Sequence, residues 1–428
     1  MKQKMAGISI LHLNPNPSLK FKHQIHTSLN QKNQLFSILP SPRKINSRNG
    51  GNLGIGAVCA THTFDVVVVG AGIIGLSIAR DLLLRSNLSV AVVDAAVPCS
   101  GATGAGSLLI GRTETELNQL KRRVQELSKA GIRAEYLSHN DLANREPELG
   151  INQQSGAAFL PDDCQLDAYR TMAFIEKGNR LFKSLGRYAE FYHDPAVRFI
   201  RSNGKGKIDG IITQKNTLYG RKATIIAAGC WTGSLMDKLL QDSHIVLHVP
   251  IKPRKGFLLN LENFDNLDIR HGLMEAGYVD HQKSVISESE GVDHNKALSV
   301  SMTVTRDACG NLLIGSSRQF AGFNTELEMF IVDRIWERTQ QFFPALKEFS
   351  VKNLSEQMNV RIGLRPYMPD GKPVIGPVPG IPNLFLASGH EGGGLSMALG
   401  TAEMVTDLVL DNPLQLDCKP FSVEGRCC

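Results

Sequence analysis

The 428-residue chain contains no uninterrupted apolar run near the roughly 20 residues that a membrane-spanning helix requires, so no helical span is expected. Its eight cysteines, Cys59, Cys99, Cys164, Cys230, Cys309, Cys418, Cys427 and Cys428, include no Cys-x-x-Cys pair and no Cys/His cluster at zinc spacing. Idle thiols are the expectation, with Cys427 and Cys428 in a frayed tail and no metal site. Heptads, internal repeats and low-complexity tracts are also missing beyond the N-terminal stretch.

Acid is absent from one end. No Asp or Glu occurs from Met1 to Phe64, whereas Lys2, Lys4, Lys20, Lys22, Lys32, Arg43, Lys44 and Arg48 supply positive charge among Ser, Asn and Gln. Such a segment, without a compact apolar centre, has the composition of an organelle transit peptide rather than a secretory signal. Val58-Cys59-Ala60 resembles a stromal processing site, which favours a chloroplast, with a mitochondrion as the alternative. A basic tail that stays attached is the plainer reading. Removing these eight charges from 47 Lys and Arg leaves 39 against 41 Asp and Glu, a formal net of −2 in place of +6. The body of the protein is therefore not basic, and nucleic acid loses its electrostatic support as a partner.

What remains is globular in composition, 42% hydrophobic and 21% charged, and too long for one ordinary core. Phe64-Asp65-Val66-Val67-Val68-Val69 reads as a parallel strand buried on both faces. Gly70-Ala71-Gly72-Ile73-Ile74-Gly75 follows, then a helical pattern from Leu76 to Leu83, then a second strand, Leu88 to Val93, ending at the acid Asp94. In this βαβ unit Gly70 permits the tight turn, Gly72 lets backbone approach a pyrophosphate and Gly75 lets helix and strand pack closely. The helix N-terminus offers free N–H groups to the phosphates, with Ile73 and Ile74 in its first turn, and Asp94 is placed to accept from ribose hydroxyls.

NAD and FAD share this unit. Two later segments favour FAD: the small-residue loop Ser100 to Gly106, where Ala102 and Thr103 could line a flavin pyrophosphate, and a strand running from Gly220 into Ala227-Ala228-Gly229, where backbone can again lie against the cofactor. An NAD(P)-dependent Rossmann dehydrogenase stays open as an alternative.

With these residues the chain resembles the FAD-dependent amine and amino-acid oxidoreductases of the D-amino-acid oxidase, glycine oxidase and sarcosine oxidase family. The resemblance runs from Phe64 to about Leu410 and includes Pro253-Arg254-Lys255-Gly256, Gly310 to Arg318, Gly363-Leu364-Arg365-Pro366 and Gly389 to Met397. It implies an α/β composite fold of GR2 type: a Rossmann-like FAD-binding domain assembled from separated segments and a substrate domain with an antiparallel sheet. The corresponding boundaries are residues 64–106, 200–245 and 355–412 for the first, and 107–199 and 246–354 for the second, after a leader at 1–60.

The resemblance also assigns roles. Val197 joins the cofactor contacts, and Gly392, Gly393, Gly394, Leu395 and Ser396 open a helix against the isoalloxazine end of FAD. Arg365 falls where glycine oxidase-like members hold the substrate carboxylate, a task suited to a guanidinium because it forms two parallel charge-assisted hydrogen bonds. Arg318 and Arg361 are weaker candidates for the same pocket, and Tyr278, His390 and Glu391 are possible pocket residues. The implied reaction moves hydride from the carbon beside an amine to flavin N5, with oxygen or another acceptor taking the electrons. Little acid–base chemistry is asked of the protein.

Two departures from the family pattern stand out. Glycine oxidase-like members often carry an extra pocket arginine in the terminal motif, where this chain has Glu391-Gly392-Gly393-Gly394; the substrate is thereby left open. Relatives also place a stretch of helices between the small-residue loop and the strand at Ser107 to Gly111, whereas here Gly106 runs straight into Ser107. A shortened flavin cover is expected to weaken FAD binding, and a catalytically impaired flavoprotein with a binding or regulatory role is the alternative this junction supports.

Overall fold

Two sheets organise the computed structural model, which describes residues 60–95, 106–163, 166–202, 206–241, 245–278, 298–307 and 309–427. The first sheet contains β1 (Ala60–Val69), β2 (Val90–Val93), β6 (Tyr188–Phe191), β7 (Ala196–Arg201), β8 (Ile208–Thr213), β9 (Asn216–Ile226), β15 (Val374–Val378) and β16 (Ile381–Ser388). Its backbone is the parallel array β16-β9-β1-β2-β6, with β15 antiparallel on one edge and the β7–β8 hairpin joined through β9. The second sheet runs β14 (Met358–Tyr367), β10 (Lys252–Leu261), β13 (Leu312–Arg318), β12 (Ser299–Arg306), β11 (Gly272–Glu275), β3 (Ser107–Gly111), β5 (Gly156–Leu160) and β4 (Glu135–Leu137). Its pairings are antiparallel except for β3 beside β11.

The valine run of β1 shows why the first sheet is central. Side chains of a strand alternate between faces, so Val66 and Val68 enter one core with α1 (Ile73–Arg85), while Val67 and Val69 enter another on the opposite face. All four are buried, which is the pattern of a strand covered by helices on both sides. After β3 comes α2 (Glu114–Lys129), started by a capping box in which Thr113 and Glu116 satisfy each other's backbone N–H groups. A short α3 (His139–Arg145) follows it. In the second sheet Phe257, Leu259 and Leu261 of β10 pack in one core with Ile331, Val332, Ile335 and Trp336, which lie on the helix Met329–Gln340. The opposite face of β10 and β14 is left for other work.

The expected domain boundaries need correction at three places. Residues 188–201 belong to the first sheet, because β6 extends the parallel ladder beyond β2. The helix α4 (Ala168–Arg180) goes with them: Asn179 Nδ2 donates to Leu76 O at 3.0 Å and Arg80 Nη1 to Gly178 O at 2.8 Å, both tying α4 to α1. Conversely, β14 belongs to the second sheet, where it matches β10 from Lys252↔Tyr367 to Leu261↔Met358. A frayed C-terminus is also corrected: Cys427 is buried in the core containing Val423, and Arg426 is held by Asp370 at 2.7 Å and by Pro373 O at 2.8 Å. Cys230 is buried too, and burial pushes its thiol up to about 12, so it is inert. Residues 1–59 of the expected leader, Ala102, Thr103 and Cys428 lie outside the described residues, whereas Ala60 is the first residue of β1. Among the described residues no helix is long and apolar enough to cross a membrane.

Candidate active site

At the C-terminal end of β1 the backbone is packed too tightly for side chains at two of the three glycines. A Cβ on Gly70, whose φ is +112°, would come within 2.3 Å of Ala227 O, and one on Gly75 within 2.0 Å of Gly70 O. At Gly72 the situation reverses, since among the described residues no atom from elsewhere in the chain lies within 4 Å of an added Cβ. Gly72 is the N-cap of α1 and gives it no side-chain cap. The open space at an uncapped helix N-terminus is therefore bounded by backbone, which fits a pyrophosphate. Asp94 stands beside it, its Oδ2 accepting from Ala71 N at 2.6 Å. Its backbone is fixed from both directions, with Asp94 N donating to Phe191 O and Asp194 N donating to Asp94 O. That second bond brings β7, with its half-exposed Val197, to the same end of the sheet.

The return strand closes this arrangement. Ala227 N donates to Val69 O at 2.7 Å, Ala228 N is 3.2 Å from the Gly70 Cβ position, and Gly229 follows at φ +55°. After α5 (Thr232–Leu240) the chain leaves for the second sheet. It returns through β16 to α7 (Gly394–Leu410), the last helix after α6 (Met329–Gln340), and α7 also begins at an uncapped glycine, Gly393. A Cβ on Gly394 would sit 3.7 Å from Ile73 Cγ2, so the starts of α1 and α7 converge. Gly392 and Ser396 are exposed beside them, and Leu395 is half-buried. His390, in contrast, turns inward: its Nε2 lies 2.9 Å from Thr401 Oγ1 of α7, and burial pulls its pKa down to about 4. It is a neutral packing residue at neutral pH, and its expected place in the substrate pocket is corrected accordingly.

The free face of β10 and β14 carries the charged groups. Register places Arg254 opposite Arg365, Gly256 opposite Gly363, and Leu258 opposite Arg361. All six point away from the Phe257–Leu261 core, because residues directly opposite share a face. The paired glycines differ in surroundings: the Arg365 guanidinium lies across Gly256, 2.3 Å from where a Cβ would stand, while Gly363 is exposed, with no described atom within 4 Å of an added Cβ. Arg365 Nη1 donates to Ser317 O at 3.0 Å, which brings it beside Arg318. Arg318, at the end of β13, is 2% exposed, with its Cζ 4.2 Å from the centre of the Tyr278 ring and its Nη1 3.5 Å from Ser301 Oγ. Burial lowers its pKa, and the neighbouring positive charges of Arg365 and Arg254 act in the same direction against Tyr278 and Glu391.

Glu391 and Arg254 complete the group. Arg254 Nη1 donates to Glu391 Oε1 at 2.8 Å, and its guanidinium stacks between Phe320 and Tyr367 at 5.5 and 5.1 Å. Glu391 adopts φ +46°, a left-handed conformation that costs a non-glycine residue about 1 kcal/mol, and the ion pair offsets it. Arg361 is exposed, further along the same face. The structure thus joins Arg365, Arg318 and Tyr278, as the sequence suggested, and adds Arg254. Its signal was present in Pro253-Arg254-Lys255-Gly256, but only the strand register shows that Arg254 faces Arg365. Neighbouring Lys255 points the other way and is fully buried, its Nζ donating to Glu328 Oε1 at 2.7 Å.

Comparison with known proteins identifies the family and the fold. The chain matches the family model described as FAD dependent oxidoreductase over residues 65–113 and 105–408. A D-amino acid dehydrogenase from Vibrio cholerae is 26% identical over 306 residues, 71% of this chain and 63% of that protein, so the chain spans less than two thirds of that relative's length. Glycine oxidase from Geobacillus kaustophilus superposes with a TM-score of 0.68 at 20% identity, over 85% of this chain and 99% of that one. L-proline dehydrogenase from P. horikoshii does so with a TM-score of 0.69 at 18% identity, over 84% and 96%. At these identities the two structures speak for the fold, which is the mixed two-sheet fold expected. The family match sets aside the NAD(P)-dependent alternative, and the uncapped N–H groups at the start of α1, with the Asp94 carboxylate beside them, suit the pyrophosphate and ribose of FAD. The chain belongs to the FAD-dependent oxidoreductase family whose members include the D-amino-acid oxidases.

Proposed function

We propose that this chain oxidises the C–N bond of an amino acid or a secondary amine, using FAD, with the resulting imine hydrolysed after release. The observation that supports this most is the convergence of two uncapped, glycine-lined helix starts at Gly72 and Gly393 in a chain that also carries an arginine face on β10 and β14. Gly70, Gly72, Ile73, Ile74, Gly75 and Asp94 would hold the ADP half of FAD, with Val197, Ala228 and Gly229 beside them. Gly392 to Ser396 would meet its ring end. When bound, FAD supplies the hydride acceptor. Arg365 would grip the substrate carboxylate by charge-assisted hydrogen bonds and so orient the C–H bond. The amine-bearing carbon needs no protein base in this scheme, consistent with a His390 that is buried and neutral. Oxygen or another acceptor would take the electrons onward.

The test is the visible spectrum of the purified protein under anaerobic conditions. Flavin bands that bleach on addition of a D-amino acid, glycine, sarcosine or L-proline support the reading; bands that no amine or amino acid bleaches overturn it. One observation favours a second reading, an impaired flavoprotein that binds a partner: the family match divides into two stretches meeting at residues 105–113, where Gly106 runs into Ser107. A protein purified without flavin, and unable to take up added FAD, would support that reading.

We also propose that residues 1–59 direct the chain to a chloroplast, the alternative being a mitochondrion. The acid-free composition supports this, as does the resemblance of Val58-Cys59-Ala60 to a stromal processing site. A fluorescent fusion of residues 1–64 that stays in the cytosol would refute it.

A further inference from the structure

We propose that the substrate carries two carboxylates, one held by Arg365 and the other by Arg318. This rests on the amine-oxidoreductase reading above and narrows its substrate class. The argument is one of charge matching in a buried place. Three guanidiniums meet at the free face of β10 and β14 and the end of β13, and the described residues supply them with one close carboxylate, Glu391. That carboxylate is bound to Arg254 at 2.8 Å.

Arg318 and Arg365 are matched differently. The partners of Arg318 are a hydroxyl at 3.5 Å and an aromatic ring, and that of Arg365 is the Ser317 carbonyl at 3.0 Å. Among the described residues neither has a carboxylate in ion-pairing range. A guanidinium only 2% exposed, with like charges beside it and, among the described residues, no carboxylate closer than the Glu391 already paired with Arg254, is unfavourable unless a ligand anion completes it. The open surface at Gly363, beside Arg365 on the same face, leaves a ligand room to approach the arginines. A single carboxylate would neutralise one of the two arginines and leave the other buried with its charge uncompensated. A second carboxylate removes that imbalance. Glu391 sharpens the selection, because it occupies Arg254 and prevents that arginine from serving the same anion.

The experiment is a calorimetric titration of the flavin-loaded protein with unreactive acids, succinate and glutarate against propionate and butyrate, followed by anaerobic flavin reduction with D-aspartate, D-glutamate and iminodiacetate against D-alanine, glycine and sarcosine. The dicarboxylates are expected to bind at least tenfold more tightly than the monocarboxylates. Arg318→Gln should abolish that difference while leaving propionate affinity within about threefold, and Arg365→Gln should weaken both classes. Arg318→Lys, which keeps the charge, should retain part of the preference if the first variant folds poorly. Equal binding of both classes, or equal loss of both in Arg318→Gln, overturns the proposal, because it means that the two arginines share one carboxylate. Flavin reduction by monocarboxylic amines alone overturns it while leaving the broader reading intact. Dicarboxylate binding without reduction by any amine supports the two-carboxylate site and overturns the broader reading instead.

Discussion

The two ends of the site are made of different material. At β1 and α1 the chain presents backbone: glycines, uncapped N–H groups and one acid, all within the 25 residues from Gly70 to Asp94. On the face of β10 and β14 it presents long charged side chains drawn from residues 254, 318, 365 and 391. The first region works through shape and fixed dipoles, which do not titrate and tolerate no added atoms where packing is tight. The second works through ionic charge and its balance, so it is open to retuning by single substitutions.

The largest effects should break the first region. Gly75→Val forces a side chain to within 2.0 Å of Gly70 O, and the βαβ unit is expected to fail to assemble, read as loss of soluble folded protein. Gly72→Ala is the sharper companion, because its φ of −72° suits alanine and its Cβ meets no atom from elsewhere among the described residues. Its melting temperature should match the parent's in the absence of flavin, while flavin content, read as the ratio of absorbance near the blue flavin band to that of protein, falls at least about tenfold, the equivalent of roughly 1.4 kcal/mol. Equal flavin content in the two proteins would show that the pyrophosphate lies elsewhere.

In the second region Arg365→Leu should lower kcat/KM by about 10- to 100-fold, the range expected for losing a charge-assisted contact of roughly 1.5–3 kcal/mol, with folding preserved. An unchanged kcat/KM would remove Arg365 from the pocket.

His390 lies between the regions and offers a pH test. Its folded-state pKa of about 4 is below the unfolded value of 6.5, so the stability it contributes is present above pH 6.5 and is lost as pH falls through that value toward 4. From pH 7 to pH 5 urea unfolding should show a loss of about 2 kcal/mol attributable to this group. His390→Gln should flatten that part of the profile, and an unaltered profile would contradict the burial of the imidazole. The smallest effect belongs to Thr113→Ala, which removes a cap from α2, a helix packed through Leu120 against Leu109 and Ala158. It should cost about 1 kcal/mol in unfolding free energy and leave flavin content and turnover unchanged.

How much of this was legible beforehand follows from distance along the chain. The βαβ unit could be read because each of its parts is local: a two-sided valine strand, glycines at fixed offsets and an acid ending the next strand. The capping box at Thr113 and Glu116 has the same character. Domain membership was misjudged for residues 188–199 and for β14, because strands join sheets by non-local pairing that composition does not encode. His390 looked like a pocket residue from its neighbours in sequence, yet the turn at Gly389, with φ +83°, precedes a side chain directed inward to Thr401. Arg254 passed without a role because its meaning depends on a partner 111 positions later, counting 365 − 254.

By itself, then, the sequence determined the dinucleotide unit, the small-residue segments that turn it toward FAD, and Arg365 as a candidate for the carboxylate. Those signals are set by local stereochemistry: where glycine is sterically required, how side chains alternate, which residues start a helix. Only the tertiary structure decided that Arg254, Arg318 and Arg365 meet, that Glu391 matches one of them, and that His390 does not join them. Charge balance in a buried site is a property of groups within a few ångströms of one another, and strand register, not sequence proximity, places them there.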